Sequence, residues 1–241
     1  MPPNTAPLDL YHLPGFHDPF SAISHLLGAV AFIPLGYLLL RRGRGDRTRM
    51  IYLSIYAAAC VFLFSMSAVY HMMVREGIAR NVMGRLDHCA IFVLIAGPFT
   101  PCYGILEHGW RRWAPLLFVW TVAITGITLK ATLYTNIPEW LGLSLYLGLG
   151  WFGGISAIVL CRRYGLAFIE PLLFGGLAYS IGAVLDYFKW PILVPGIVHT
   201  HELFHLFVLV GAGFHYWFVW EIATGHSLDG HLIQPAPLDE V

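Results

Sequence analysis

Charge is what this sequence has least of. Only 12% of its 241 residues are Asp, Glu, Lys or Arg, about half of the roughly 25% usual for a soluble domain. Most of its surface is therefore not built to face water. Neither sign dominates, because 14 basic residues balance 14 acidic ones. The Lys and Arg residues fall in short scattered clusters, which excludes the concentrated basic footprint of a nucleic-acid binder. Cysteine is scarce too. Cys60, Cys89, Cys102 and Cys161 lie in apolar stretches without C-x-x-C spacing, so they read as small buried residues, not as a disulfide framework or a thiolate metal site. The N-terminal stretch MPPNTAPLDLYHLPGFHDPF has no basic segment running into an apolar core, and no cleaved signal peptide is expected from it.

What is present is long apolar runs. Hydrophobic residues make up 57% of the chain and aromatics 15%, with a mean hydropathy of +0.66. A transmembrane helix needs roughly 20 apolar residues, and the sequence divides into seven such spans at roughly 20–40, 51–72, 87–106, 113–134, 139–161, 168–188 and 199–222. Brief polar links such as RRGRGDRTR, EHGWRR and RRYGL separate them, so neighbouring helices run antiparallel. The runs are continuous, without the period-2 alternation of lipid-facing strands, which favours helices over a barrel. The expectation is an all-α integral membrane protein, one seven-helix transmembrane bundle over residues 1–241. Pro98 and Pro101 should kink the third span, and the Phe, Trp and Tyr stripes read as lipid-facing and interfacial belts.

Alternating span directions put three polar clusters on one side of the membrane: SAVYH (67–71) ending span two, LDH (86–88) opening span three, and HTHELFH (199–205) opening span seven. Ser67 and His71 are separated by one helical turn, as are His201 and His205, so each pair shares a helix face. Ionisable groups within a span are expensive and face the bundle interior. Three neutral imidazoles from two helices suit a tetrahedral Zn²⁺ with one open position, which can polarise a carbonyl or generate hydroxide near neutral pH. Asp87 and Ser67 then fit as groups that orient a ligand or act on bound water. The bland alternative is that each histidine is an interfacial residue near a span end.

These motifs, S-x-x-x-H, the Asp opening span three and H-x-x-x-H, resemble those of the hemolysin III and progestin/adipoQ receptor family. SHLLGAVAF in span one, RLDHCAIFVLIAGPFTP in span three and GGLAYSIGAV in span six extend the resemblance over essentially the whole chain. The short tails are similar to the bacterial hemolysin III branch, which implies a multi-pass protein of the bacterial inner membrane. The resemblance also implies a zinc ion held by His71, His201 and His205, a water-mediated role for Asp87 and a supporting role for Ser67. The wider group includes alkaline ceramidases, so the implied chemistry is hydrolysis of a lipid amide or ester with an acyl chain in the bundle. The branch takes its name from a haemolytic, pore-forming activity, so the alternative is a membrane-perturbing protein with a structural zinc.

The stretch HELFH also matches the H-E-x-x-H of zinc peptidases letter for letter. A protease would need Glu202 as general base and a further carboxylate, and the LDG at 228–230 supplies only Asp229, a few residues beyond the last span. Glu202 lies about 100° around the helix from His201, where it points to solvent or caps the helix start. His25 should line the cavity without binding metal, Asp186 should pair with Lys189, and His88 should point away from the centre. His199 and His215 carry no assignment. Orientation is contested. Nine Arg residues follow spans one, three and five (Arg41, Arg42, Arg44, Arg47, Arg49, Arg111, Arg112, Arg162, Arg163), against five cations on the motif side (Arg75, Arg80, Arg85, Lys130, Lys189). That count puts the motif side outside; the family resemblance implies the cytoplasm, and that is the orientation expected.

Overall fold

The computed structural model describes residues 16–74, 77–134, 136–195 and 197–225. These form eight helices: α1 (Pro19–Arg42), α2 (Arg47–Met72), α3 (Ile78–Ala96), α4 (Phe99–Leu106), α5 (Trp110–Leu133), α6 (Glu139–Tyr164), α7 (Leu166–Phe188) and α8 (Thr200–Ile222). Seven spans long and apolar enough to cross a membrane result, because α3 and α4 make one span, Ile78–Leu106. The chain is a multi-pass integral membrane protein of the all-α class, as its apolar runs imply.

The third span departs from its expected start at residue 87. It begins nine residues earlier, at Ile78, so Asp87 sits about two and a half turns inside a helix. The reason is local chemistry. Arg80 and Arg85, which lower the hydropathy of this segment, both find acceptors on neighbouring elements: Arg80 donates to the Met73 carbonyl and to Asp18, and Arg85 to the Ala131 carbonyl. The expected kink appears where Gly97 and Pro98 separate α3 from α4. Pro98 brings no N–H to the ladder, and the helix restarts beyond it through Thr100 N to Gly97 O (3.1 Å) and Cys102 N to Pro98 O (3.2 Å). Pro101 does no further damage, since it falls in the first turn of α4, where an N–H has no helical partner.

Packing sorts the spans into inner and outer. The α3–α4 span has 78% of its apolar window buried, against 22% for α6, so it forms the spine of the bundle. It packs on α2, α5 and, through α4, on α8; α1 joins α2 to α8, and α7 joins α8 to α6. A close approach at Gly126 lets Phe92 lie on α5, where a Cβ would come within 2.3 Å of its ring. Gly165 alone links α6 to α7, at φ 86°, a left-handed conformation that a side chain would strain. Outward faces carry Trp113, Trp140, Trp151 and Trp217, all exposed, as expected of belts facing lipid and interface.

Candidate metal centre

The starts of α1, α3, α6 and α8 and the ends of α2, α5 and α7 share one side of the bundle, and there the polar residues meet. His71 comes from the last turn of α2. His201 and His205 come from the first turns of α8, one turn apart on the same face. Their Nε2 atoms converge: His201 lies 3.3 Å from His71 and 3.2 Å from His205. One nitrogen from each ring lies within 4.8 Å of the other two, a spacing that lets all three bind one metal ion. His71 and His205 are buried, and His201 keeps an accessible face that lines a cavity.

Each ring is held from outside. His71 Nδ1 lies 3.1 Å from the Asp18 carboxylate, which precedes α1. Burial pushes the Asp18 carboxyl up, but the hydrogen bond and charge of His71, with His17 and Arg80, outweigh it and hold the group at about 2. His201 Nδ1 lies 3.4 Å from Asp186 in the last turns of α7. Asp186 does pair with Lys189 (3.4 Å) as expected, yet it also accepts from Thr200 (3.5 Å) and faces the metal-ligand candidate. His205 is fixed by stacking: the buried His25 ring lies over it at 3.9 Å with an interplanar angle of 30°.

Ser67 and Asp87 are both buried and line the cavity with His201 and His205. The Asp87 carboxyl lies against the Ser67 hydroxyl and within electrostatic reach of His71 and His201. The cavity has a volume of about 550 Å³, inside the range of about 300–1,000 Å³ typical of small-molecule sites. Its polar end carries Ser67, Asp87, His88, Lys130 and the two α8 histidines. Beyond them the wall is mostly apolar, with Leu94, Phe99, Leu147, Leu160 and Val208, interrupted by Ser156 and His215.

Other expectations resolve as follows. Glu202 is buried, so it does not point to solvent. It caps its own helix, with Oε2 accepting from His199 N at 3.0 Å and Oε1 from Ser21 Oγ at 3.3 Å. Both carboxylate oxygens are thereby occupied, away from the role of a peptidase base. His199 is the N-cap of α8. His88 turns its Nδ1 to the Gly84 carbonyl at 2.8 Å, outside the triad, although it lines the cavity. His25 lines the cavity as expected and is not among the residues grouped around the metal position. His215 is buried with Nε2 3.3 Å from the Leu172 carbonyl. Asp229 lies outside the described residues. Asp18 was missed by sequence reasoning; its only signal was an acidic residue directly before the Pro that opens an apolar span on the motif side.

Known proteins resemble this chain over most of its length. The family described as "Haemolysin-III related" matches residues 16–216. The chain is 30% identical to "Hemolysin-3" of Bacillus cereus over 194 residues, 80% of this chain and 85% of that protein. It is 28% identical to "Monocyte to macrophage differentiation factor" of Homo sapiens, over 78% of this chain and 76% of that one. It is also 25% identical to "Adiponectin receptor protein" of Drosophila melanogaster, over 83% of this chain and 49% of that one.

Proposed function

The chain belongs to the haemolysin III-related family, and from that premise we propose that it is a zinc-dependent membrane hydrolase acting on a lipid amide or ester. The bacterial hemolysin-3 relatives support the bacterial inner membrane as its location. The observation that carries the reading is the triad at the polar end of an apolar cavity. Zn–N bonds of about 2.0–2.1 Å at tetrahedral angles set ligand nitrogens about 3.3–3.4 Å apart, and His201 Nε2 lies 3.3 Å from that of His71 and 3.2 Å from that of His205. Three histidines leave one tetrahedral position for a non-protein ligand. When bound, zinc would polarise a carbonyl and lower the pKa of water.

The chain's own residues supply the rest. The apolar wall takes the acyl chain and leaves the amide or ester carbonyl at the histidine end. The Asp87 carboxylate, oriented by Ser67, accepts a proton from the attacking water and returns it to the departing amine or alkoxide. Purified protein should carry about one zinc per chain and release fatty acid from a ceramide-type amide or an ester. His201→Ala should lose both metal and turnover. Full zinc retention in a His71/His201/His205 triple alanine variant would overturn the reading.

A second reading rests on the same ligands. Because they join α2 to α8, the metal would also serve a membrane-perturbing protein as a structural clasp. In that case dye leakage from liposomes persists in Asp87→Asn and no lipid is turned over.

A further inference from the structure

Two of the three histidines have an acceptor fixed behind them, and the consequence reaches the ring's other nitrogen. A neutral imidazole has one N–H and one lone pair. The Asp18 carboxylate sits 3.1 Å from His71 Nδ1, and the Asp186 carboxylate 3.4 Å from His201 Nδ1. Carboxylates only accept, so both Nδ1 atoms donate and both Nε2 atoms present lone pairs. Those two Nε2 atoms are 3.3 Å apart, a separation that would otherwise suggest a His–His hydrogen bond. With both tautomers fixed, no proton lies between them, and the two lone pairs face a shared position that a metal ion can fill.

We infer that Asp18 and Asp186 are positioning residues that set His71 and His201 as Nδ1–H tautomers and so prepare the triad for metal. The inference rests on the zinc reading above and adds residues that reasoning from the motifs does not reach.

Two features of Asp18 support a dedicated role. It occupies the N-cap position of α1, where an Asp side chain ordinarily accepts from the helix backbone, yet it makes no side-chain cap bond. Its carboxylate turns instead to His71 and to Arg80, 3.4 Å away, while its own N–H donates to the His71 carbonyl at 2.9 Å. Asp186 is fixed in a similar way by Lys189 and Thr200. Each carboxylate comes from outside the helix that bears its histidine, so the outer supports tie α1 to α2 and α7 to α8. His205 has no such support, and its buried Nδ1 finds no hydrogen-bond partner among the described residues. The stacked ring of His25 holds it instead.

The test is zinc affinity of the full-length protein in detergent, measured by competition with a chromophoric chelator. Asp18→Ala and Asp186→Ala should each weaken zinc about 10–100-fold, the usual effect of losing an outer-shell partner. Asp18→Asn keeps an acceptor without charge and should fall between wild type and Asp18→Ala. A merely structural role would instead lower the unfolding temperature of the metal-free protein and leave zinc affinity where it is in the wild type. Affinities within about twofold of wild type in both alanine variants would overturn the inference, being well short of that range. Should those variants fail to fold, ¹⁵N shifts of the histidine rings in metal-free wild type decide the matter. Nδ1–H tautomers at His71 and His201 uphold the inference, and an Nε2–H at either overturns it. The same spectra separate the two readings: wild type that binds no zinc but shows both Nδ1–H tautomers defeats the zinc proposal alone.

Discussion

The two ends of this bundle both bury charge, and they dispose of it in opposite ways. At the end away from the histidines, Glu107 and Arg163 form a buried ion pair, and Arg112 donates to the Glu107 carbonyl at 2.7 Å. Arg42 there donates to the Trp220 carbonyl at 2.9 Å and lies 4.6 Å from its ring, while Arg49 reaches the Thr224 carbonyl. These four cations satisfy a carboxylate or carbonyls at and just past the C-terminal ends of α4 and α8, where helical partners run out. At the histidine end, three ring nitrogens instead converge on one another, with the Asp18 and Asp186 carboxylates behind two of the rings. One end is closed by the protein itself, and on the zinc reading proposed above the other is completed by a metal ion. Buried polarity alone does not mark a site; polarity left uncompensated does.

The largest expected effect tests the uncompensated end. His205→Ala removes a buried proposed ligand, and metal content should fall from about one zinc per chain to near zero by atomic emission. Next comes Asp87→Asn, which should leave zinc in place and reduce lipid turnover by about 10²–10⁴-fold, the usual contribution of a general base. Equal loss of zinc in that variant would blur the distinction between ligand and base.

The compensated end should respond in stability, not in metal. Glu107→Ala leaves Arg163 buried without its partner and should cost about 3–5 kcal/mol in detergent unfolding, whereas replacing both partners by Leu and Met should be close to neutral. Zinc content should be unchanged in each. The smallest effect is at Asp46, which caps α2 by accepting from Arg49 N at 3.0 Å. Asp46→Ala should cost about 1 kcal/mol near neutral pH. That hydrogen bond holds the Asp46 carboxyl below its usual 3.8. Its contribution is therefore complete above 3.8 and lost as pH falls through the lowered value. Wild type and Asp46→Ala should converge in acid, and a constant difference down to the lowest pH would contradict the cap.

How much of this was legible in the sequence follows from distance along the chain. His201 and His205 share a helix face by spacing alone, and span direction put His71 on their side, although 130 positions separate it from His201. Span count and class were readable because the apolar runs are long and their links short. The start of α3 was not, because Arg80 and Arg85 look like loop charges until their partners on other elements are known. Asp18 escaped for a similar reason. Its bond to His71 spans 53 positions and joins two helix termini, and no periodicity reports such a contact. Glu202 read as either solvent-facing or a cap, and the contact that decides between them, with Ser21, lies 181 positions away.

Two of the three proposed ligands lie on α8, the last helix of the described chain. During synthesis, the ribosome must therefore deliver six spans before the pocket for the ion can exist. A nascent chain stopped before Thr200 would hold His71 alone and have nothing with which to retain the metal. Metal capture would thus require insertion of all seven described spans.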